Sequence, residues 1–223
     1  MPEHKDQKIV ILTELAPTDK TIILNGIKLA SVFRKELCLA YNYSQKEKRD
    51  LYRFKNELQN YANPVKSEIP GLKVSTLLFS ESTKELPDIL AETHEAILLV
   101  ANSGNFKKYS KALTESSIPF LFIPSEGEVS EYNHIVLPID LRTENSDSAL
   151  WSSYFGRYNY AEIVVVAAND KGKEEQKQVA KNVILTKKLF SKFNIRHKVF
   201  KGTKSSFRNS FEALELALSS NSN

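Results

Sequence analysis

Two short apolar runs, Ile9-Val-Ile-Leu-Thr-Glu14 and Ile135-Val-Leu-Pro-Ile-Asp140, each close on a carboxylate and stand 126 positions apart. The same offset carries Leu37-Cys-Leu-Ala-Tyr41 onto Ile163-Val-Val-Val-Ala167 without a gap. No other feature constrains the fold as strongly, because a duplicated strand-helix pattern fixes the order of elements in both copies at once.

In the first copy, apolar runs over residues 8–15, 37–43, 72–79, 96–101 and 118–123 read as strands, hydrophobic enough for burial on both faces of a parallel sheet. Helical spacing separates them. Thr18 or Asp19 caps a helix that carries Ile23, Ile27, Ala30 and Phe33. A charged helix over 46–65 has Leu51, Phe54, Leu58 and Tyr61 on one side and Asn63-Pro64 near its end. Ser82-Thr-Lys-Glu85 has the form of a capping box opening a helix through Leu86, Ile89 and Leu90, and a short helix covers 109–116. Strands alternating with helices imply a doubly wound parallel α/β sheet with right-handed crossovers.

Residues 124–133 read as a linker, which sets domains at 1–127 and 128–223. In the second copy, strands over 134–140, 161–168 and 196–201 alternate with helices over 147–158, 174–193 and 206–218. The last helix carries Phe207, Phe211, Leu214 and Leu218 on one face. The copy holds three strand-helix units and stops where a fourth strand is due.

With 223 residues and 41% hydrophobic residues the chain can bury an ordinary core. Its apolar runs fall far short of the roughly 20 residues of a membrane span, and its polar start lacks a secretory apolar segment. The expectation is a cytoplasmic protein that contacts no membrane. Cys38 stands alone, which excludes an internal disulfide. A net charge of +4 is interspersed with acids rather than gathered in a stripe, so no nucleic-acid partner is expected. Lys171-Gly-Lys-Glu174 lacks the earlier glycine and the Ser or Thr of a phosphate loop. His94-Glu95 lacks a second histidine at Leu98, and His4, His94, His134 and His197 share no metal spacing. Nothing calls for catalysis, and a non-enzyme is expected.

The pattern resembles a tandem universal stress protein, and the resemblance implies an adenine-nucleotide alpha hydrolase-like sheet in strand order 3-2-1-4-5, followed by a partial second copy. Nucleotide-binding members carry an acid after the first strand and a Gly-x2-Gly-x9-Gly segment followed by Ser or Thr after the fourth. Glycines let main chain approach an anion, and clustered N–H groups supply positive potential. Here that segment is Val100-Ala-Asn-Ser-Gly-Asn-Phe-Lys-Lys-Tyr-Ser-Lys-Ala112, with Gly104 alone.

The resemblance therefore implies a degenerate nucleotide site and no resident cofactor, in a stress-response or regulatory protein that acts through an unidentified protein partner. The alternative is a sensor of ATP, AMP or another small anion. In that reading Glu14 and Asp140 stand at the family's acid position, Tyr41 and Asn42 meet a base, and Ser103, Gly104 and Lys107 hold an anion. The residues leave a plainer reading open, in which Glu14 ends a strand, Tyr41 packs, Ser103-Gly104 turns the chain and Asp140 orders the loop 142–147. A homodimer or an intramolecular pseudo-dimer is expected, because the strand 135–140 has an exposed edge that a second copy or another part of the chain would cover.

Overall fold

The computed structural model describes residues 7–220, which fall into two compact units divided between Val129 and Ser130. Unit 1 runs β1 (Lys8–Leu12), α1 (Asp19–Phe33), β2 (Glu36–Asn42), α2 (Leu51–Glu68), β3 (Val74–Phe79), α3 (Leu86–His94), β4 (Ala96–Asn102), α4 (Phe106–Leu113) and β5 (Phe120–Ile123). The five strands form one parallel sheet in the order β3-β2-β1-β4-β5. That is the order the resemblance implies.

Burial explains the layers. Ile9, Val10 and Ile11 are fully buried because helices cover both sides of β1, and each such side chain contributes about 1.5–3 kcal/mol. α1 seats Ile22, Ile23, Leu29, Ala30 and Phe33 on the sheet. It comes close because Gly26 has no Cβ: one placed there would lie 2.3 Å from Ile11 Cδ1.

Several boundaries differ from the sequence reading, each for a local reason. β1 ends at Leu12 rather than residue 15, because Leu15 takes a left-handed φ of 55° as the chain turns into α1. The helix expected from residue 46 begins as a 3-10 turn over Gln45–Asp50, set by the Ser44–Glu47 capping box. α2 then continues through Pro64 to Glu68, so the proline sits inside the helix and does not end it. α4 begins at Phe106, three residues before the expected start.

Unit 2 runs β6 (His134–Ile139), α5 (Asn145–Tyr158), β7 (Glu162–Ala167), α6 (Lys173–Lys192), β8 (His197–Lys201) and α7 (Asn209–Ser219). Its parallel sheet has the order β6-β7-β8, so among the described residues no strand pairs with the outer edge of β6. The core is built from Leu137, Ile139, Ile163, Val165, Phe190 and Ile195.

The two copies differ at that edge. The Asn133 and Ile139 carbonyls accept from Glu162 and Ala168, so the odd-numbered residues of β6 face β7 and the even-numbered ones face outward. Pro138, which has no N–H, therefore sits on the open side. Its counterpart at the offset of 126 is Leu12, which pairs with Ala101 of β4.

Candidate functional site

Open parallel sheets place ligands beyond the carboxyl ends of their strands, where the strand order reverses. In unit 1 that point lies between β1 and β4, and Glu14 stands there. How Glu14 is aimed depends on Asp19. The Asp19 side chain is fully buried and turns back on the loop, accepting the Glu14 amide at 3.2 and 3.1 Å and the Ala16 amide at 3.1 Å. Burial pushes its carboxyl above the usual range, the amides of Ala16 and Glu14 oppose this, and the Glu14 charge adds to it.

With a carboxylate already behind it, Glu14 points outward. It accepts from Asn105 Nδ2 at 3.0 Å and from Lys108 Nζ at 3.0 Å. Burial works against the Lys108 charge, but Tyr109 and Glu14 outweigh it and raise the pKa of the amine.

Unit 2 carries the same device with one atom type changed. The offset of 126 places Asp140 on Glu14 and Asn145 on Asp19. Asn145 Oδ1 accepts the Asp140 amide at 3.2 Å, while its Nδ2 donates to the Asp140 carbonyl and to Asp140 Oδ1, each at 3.0 Å. An amide can draw the neighbouring carboxylate inward where a second carboxylate repels it. Asp140 is accordingly buried, and it also accepts the Arg142 amide at 2.8 Å and the Arg142 guanidinium. Burial alone would raise its pKa, but the Arg142 and Asn145 hydrogen bonds hold the carboxyl below its usual range. Asn182 Nδ2 closes the cluster on the Asp140 carbonyl at 2.8 Å and the Arg142 carbonyl at 2.9 Å.

The remaining sequence candidates are engaged within unit 1 or stand apart. The Asn42 side chain donates to the Glu81 carbonyl at 2.9 Å and accepts the Glu81 amide at 3.0 Å. Tyr41 packs its ring on Phe54 at 4.8 Å, and its hydroxyl lies 3.5 Å from Glu47. Burial raises its pKa, helped by the charges of Glu47 and Glu14. Ser103 and Gly104 form the 3-10 turn Ser103–Asn105 after β4, and the Gly104 amide donates to Asn102 Oδ1 at 2.8 Å. A Cβ on Gly104 would meet only that oxygen, at 3.3 Å, so the turn does not require glycine.

Lys107 is exposed, and the ammonium at Glu14 belongs to Lys108 instead. On α4 one residue is a rotation of about 100°, enough to exchange the two. Sequence reasoning also missed Asn105 and Asn145, and it read Thr18 or Asp19 as a helix cap, whereas α1 has no side-chain cap and Asp19 turns back on the Glu14 and Ala16 amides. The repeat offset held the signal for Asp19 and Asn145, since it aligns them as it aligns Glu14 and Asp140.

The described residues contain no group of three His, Cys, Asp or Glu side chains arranged for a metal ion. A cavity of about 530 Å³ opens at the opposite end of the unit 1 sheet, among Arg34, Lys35, Glu36 and Lys73, far from the carboxyl ends.

No family model and no curated protein matches the sequence. Solved structures do. A universal stress protein from Archaeoglobus fulgidus DSM 4304 superposes with a TM-score of 0.59 at 12% identity, over 98% of this chain and 85% of that one. The fold is that of a universal stress protein. A second universal stress protein, crystallised in complex with cAMP, matches 54% of this chain and 98% of its own at 15% identity, with a TM-score of 0.42. At these identities the likeness concerns the path of the chain, and the universal stress protein fold here is a parallel α/β, Rossmann-like sheet. None of the described helices is long and apolar enough to cross a membrane.

Proposed function

We propose that this chain is a non-catalytic, universal stress protein-like regulatory or interaction protein whose nucleotide site is filled by its own side chains. In this reading unit 1, with five strands, and unit 2, with three, are two copies of one domain pattern, and the protein acts in a cytoplasmic stress response through a protein partner.

One observation carries it. The acid at the family's nucleoside position is bonded to Asn105 and Lys108, which belong to the segment that would cradle phosphates. The Gly104 amide, the one donor there that glycine would free for an anion, is held by Asn102. A nucleotide would have to break these contacts and leave a carboxylate facing its own negative charge. Isothermal titration with ATP and AMP is expected to give no heat beyond dilution. Micromolar binding of either would overturn the proposal.

A second reading, a sensor of ATP, AMP or another small anion, is favoured by Lys108, whose side chain is 39% exposed beside Ser103 and Gly104. Thermal-shift measurements with ATP, AMP and inorganic phosphate separate the two. The sensor reading requires a rise in melting temperature that Lys108→Met abolishes, and the first reading requires none.

A further inference from the structure

Helix α7 has two opposite sides, and the outer one is apolar. One side, through Asn209 and Ala213, lies on its own sheet. Away from the sheet, Phe207 in the preceding turn is 88% exposed, Phe211 66%, Leu214 55% and Leu218 75%. Their spacing of four, three and four is that of a two-helix seam, in which an apolar stripe recurs every 3.5 residues and meets a like stripe on a facing helix.

The other copy shows what this flank looks like when it is covered. β8 begins 123 positions after β3 (197 minus 74), and this offset sets Phe207 on Lys84 and Phe211 on Asp88. In unit 1 Lys84 pairs with Glu115 at 3.1 Å, and Asp88 accepts from Ser117 at 3.2 Å, so the segment leading into β5 lies against α3 there. In unit 2 the two polar anchors are phenylalanines, and no described residue of that unit lies over them.

We infer that this face of α7 is a self-association surface, on which a second copy of the chain lays its own α7 antiparallel about a two-fold axis. Charge supports a like partner. Arg208, at the N-cap of α7, and Glu215 are exposed and seven residues apart, a spacing that would set them on the same side of the stripe if the helix were continued back by one residue. Reversing one helix against the other brings Arg208 of each copy beside Glu215 of the second, twice by symmetry. Area supports it too. Two phenylalanines and two leucines at these exposures present about 600 Å² per copy, or roughly 1,200 Å² in total, the lower bound for a specific interface. An interface at this lower bound fits a reversible dimer rather than a permanent one. The outer edge of β6 is a poorer surface for association, because Pro138 offers no donor there. The inference does not depend on the nucleotide reading.

Sedimentation equilibrium on the full chain, from micromolar to submillimolar concentration, tests it. The expected result is a monomer–dimer equilibrium that the pair Phe211→Glu and Leu214→Glu reduces at least tenfold. At concentrations where the parent is monomeric the melting temperature should not move, since both side chains are exposed. Arg208→Glu or Glu215→Arg alone should weaken the dimer, and the two together should restore it. A monomer at all concentrations would overturn the inference. So would a dimer that survives the paired glutamates, or a double charge exchange no stronger than either single one.

Discussion

The amide of Asn145 decides which way Asp140 faces, and replacing it with a carboxylate isolates that role. In Asn145→Asp the new oxygen would stand about 3 Å from Asp140 Oδ1, where Asn145 Nδ2 now donates at 3.0 Å. Two charges at that distance repel by about 5 kcal/mol at an effective dielectric constant near 20. Taking up a proton at pH 7 costs less, about 4 kcal/mol for a carboxyl whose ordinary pKa is near 4. Protonation is therefore the route taken. One hydroxyl then replaces two amide hydrogens that served the Asp140 carbonyl, Asp140 Oδ1 and the Arg142 carbonyl, which costs about 1 kcal/mol more.

The variant thus loses about 5 kcal/mol at pH 7. Its added carboxyl has a raised folded pKa, so the stability tied to the proton is fully present below pH 4 and is lost as pH rises, by about 1.4 kcal/mol per unit. At pH 4 the loss relative to the parent should shrink to about 1 kcal/mol. Trp151, the only tryptophan, lies on α5 of unit 2 and reports that unit selectively in urea unfolding. An equal loss at both pH values, or a loss below about 1 kcal/mol at pH 7, would refute the electrostatic account of the Asp19 and Asn145 positions.

Two further outcomes are expected. Gly156→Ala would set a methyl 2.4 Å from Ile195 Cγ2 and 3.3 Å from its Cβ, so a β-branched neighbour must move. The overpacking of about 1–3 kcal/mol exceeds the gain of about 1 kcal/mol in helix propensity, and urea unfolding followed at Trp151 should show a net loss. Cys38 is buried and its thiol is pushed up by desolvation, with Ser75 and Lys8 opposing. A thiol-exchange reagent should label it only after unfolding, and fast labelling of the native chain would contradict this.

The sheet of unit 1 was legible because β1, β2 and β4 are nearly continuous apolar runs, and a strand buried on both faces leaves that trace. Their ends were less legible. The stop of β1 at Leu12 depends on a left-handed residue, Leu15, and on a buried acid at Asp19, and both are tertiary effects. Pro64 reads as a helix end, yet the packing of Phe54, Leu58, Ala62 and Val65 carries α2 past it. In α7 the spacing gives the shared face of Phe207, Phe211, Leu214 and Leu218, but periodicity does not say whether a face turns in or out. Here small and polar residues, Ala213 and Asn209, take the sheet, the latter by donating to the Ile139 and Val166 carbonyls at 3.0 Å. The candidate site suffered most. Glu14 was read inside a strand running to residue 15 and lies instead just past β1, and whether Lys107 or Lys108 reaches it depends on helix phase.

Pro138 has a consequence for the newly made chain. A bare strand edge is a template on which unfolded copies can add, one backbone amide after another, into an insoluble ladder. β6 offers such an edge, and a proline in its outward row removes one donor from the growing register. Such a residue would oppose that growth while leaving the bonds to β7 intact. Restoring an N–H at that position should harm the yield of soluble protein before it alters anything the folded molecule does.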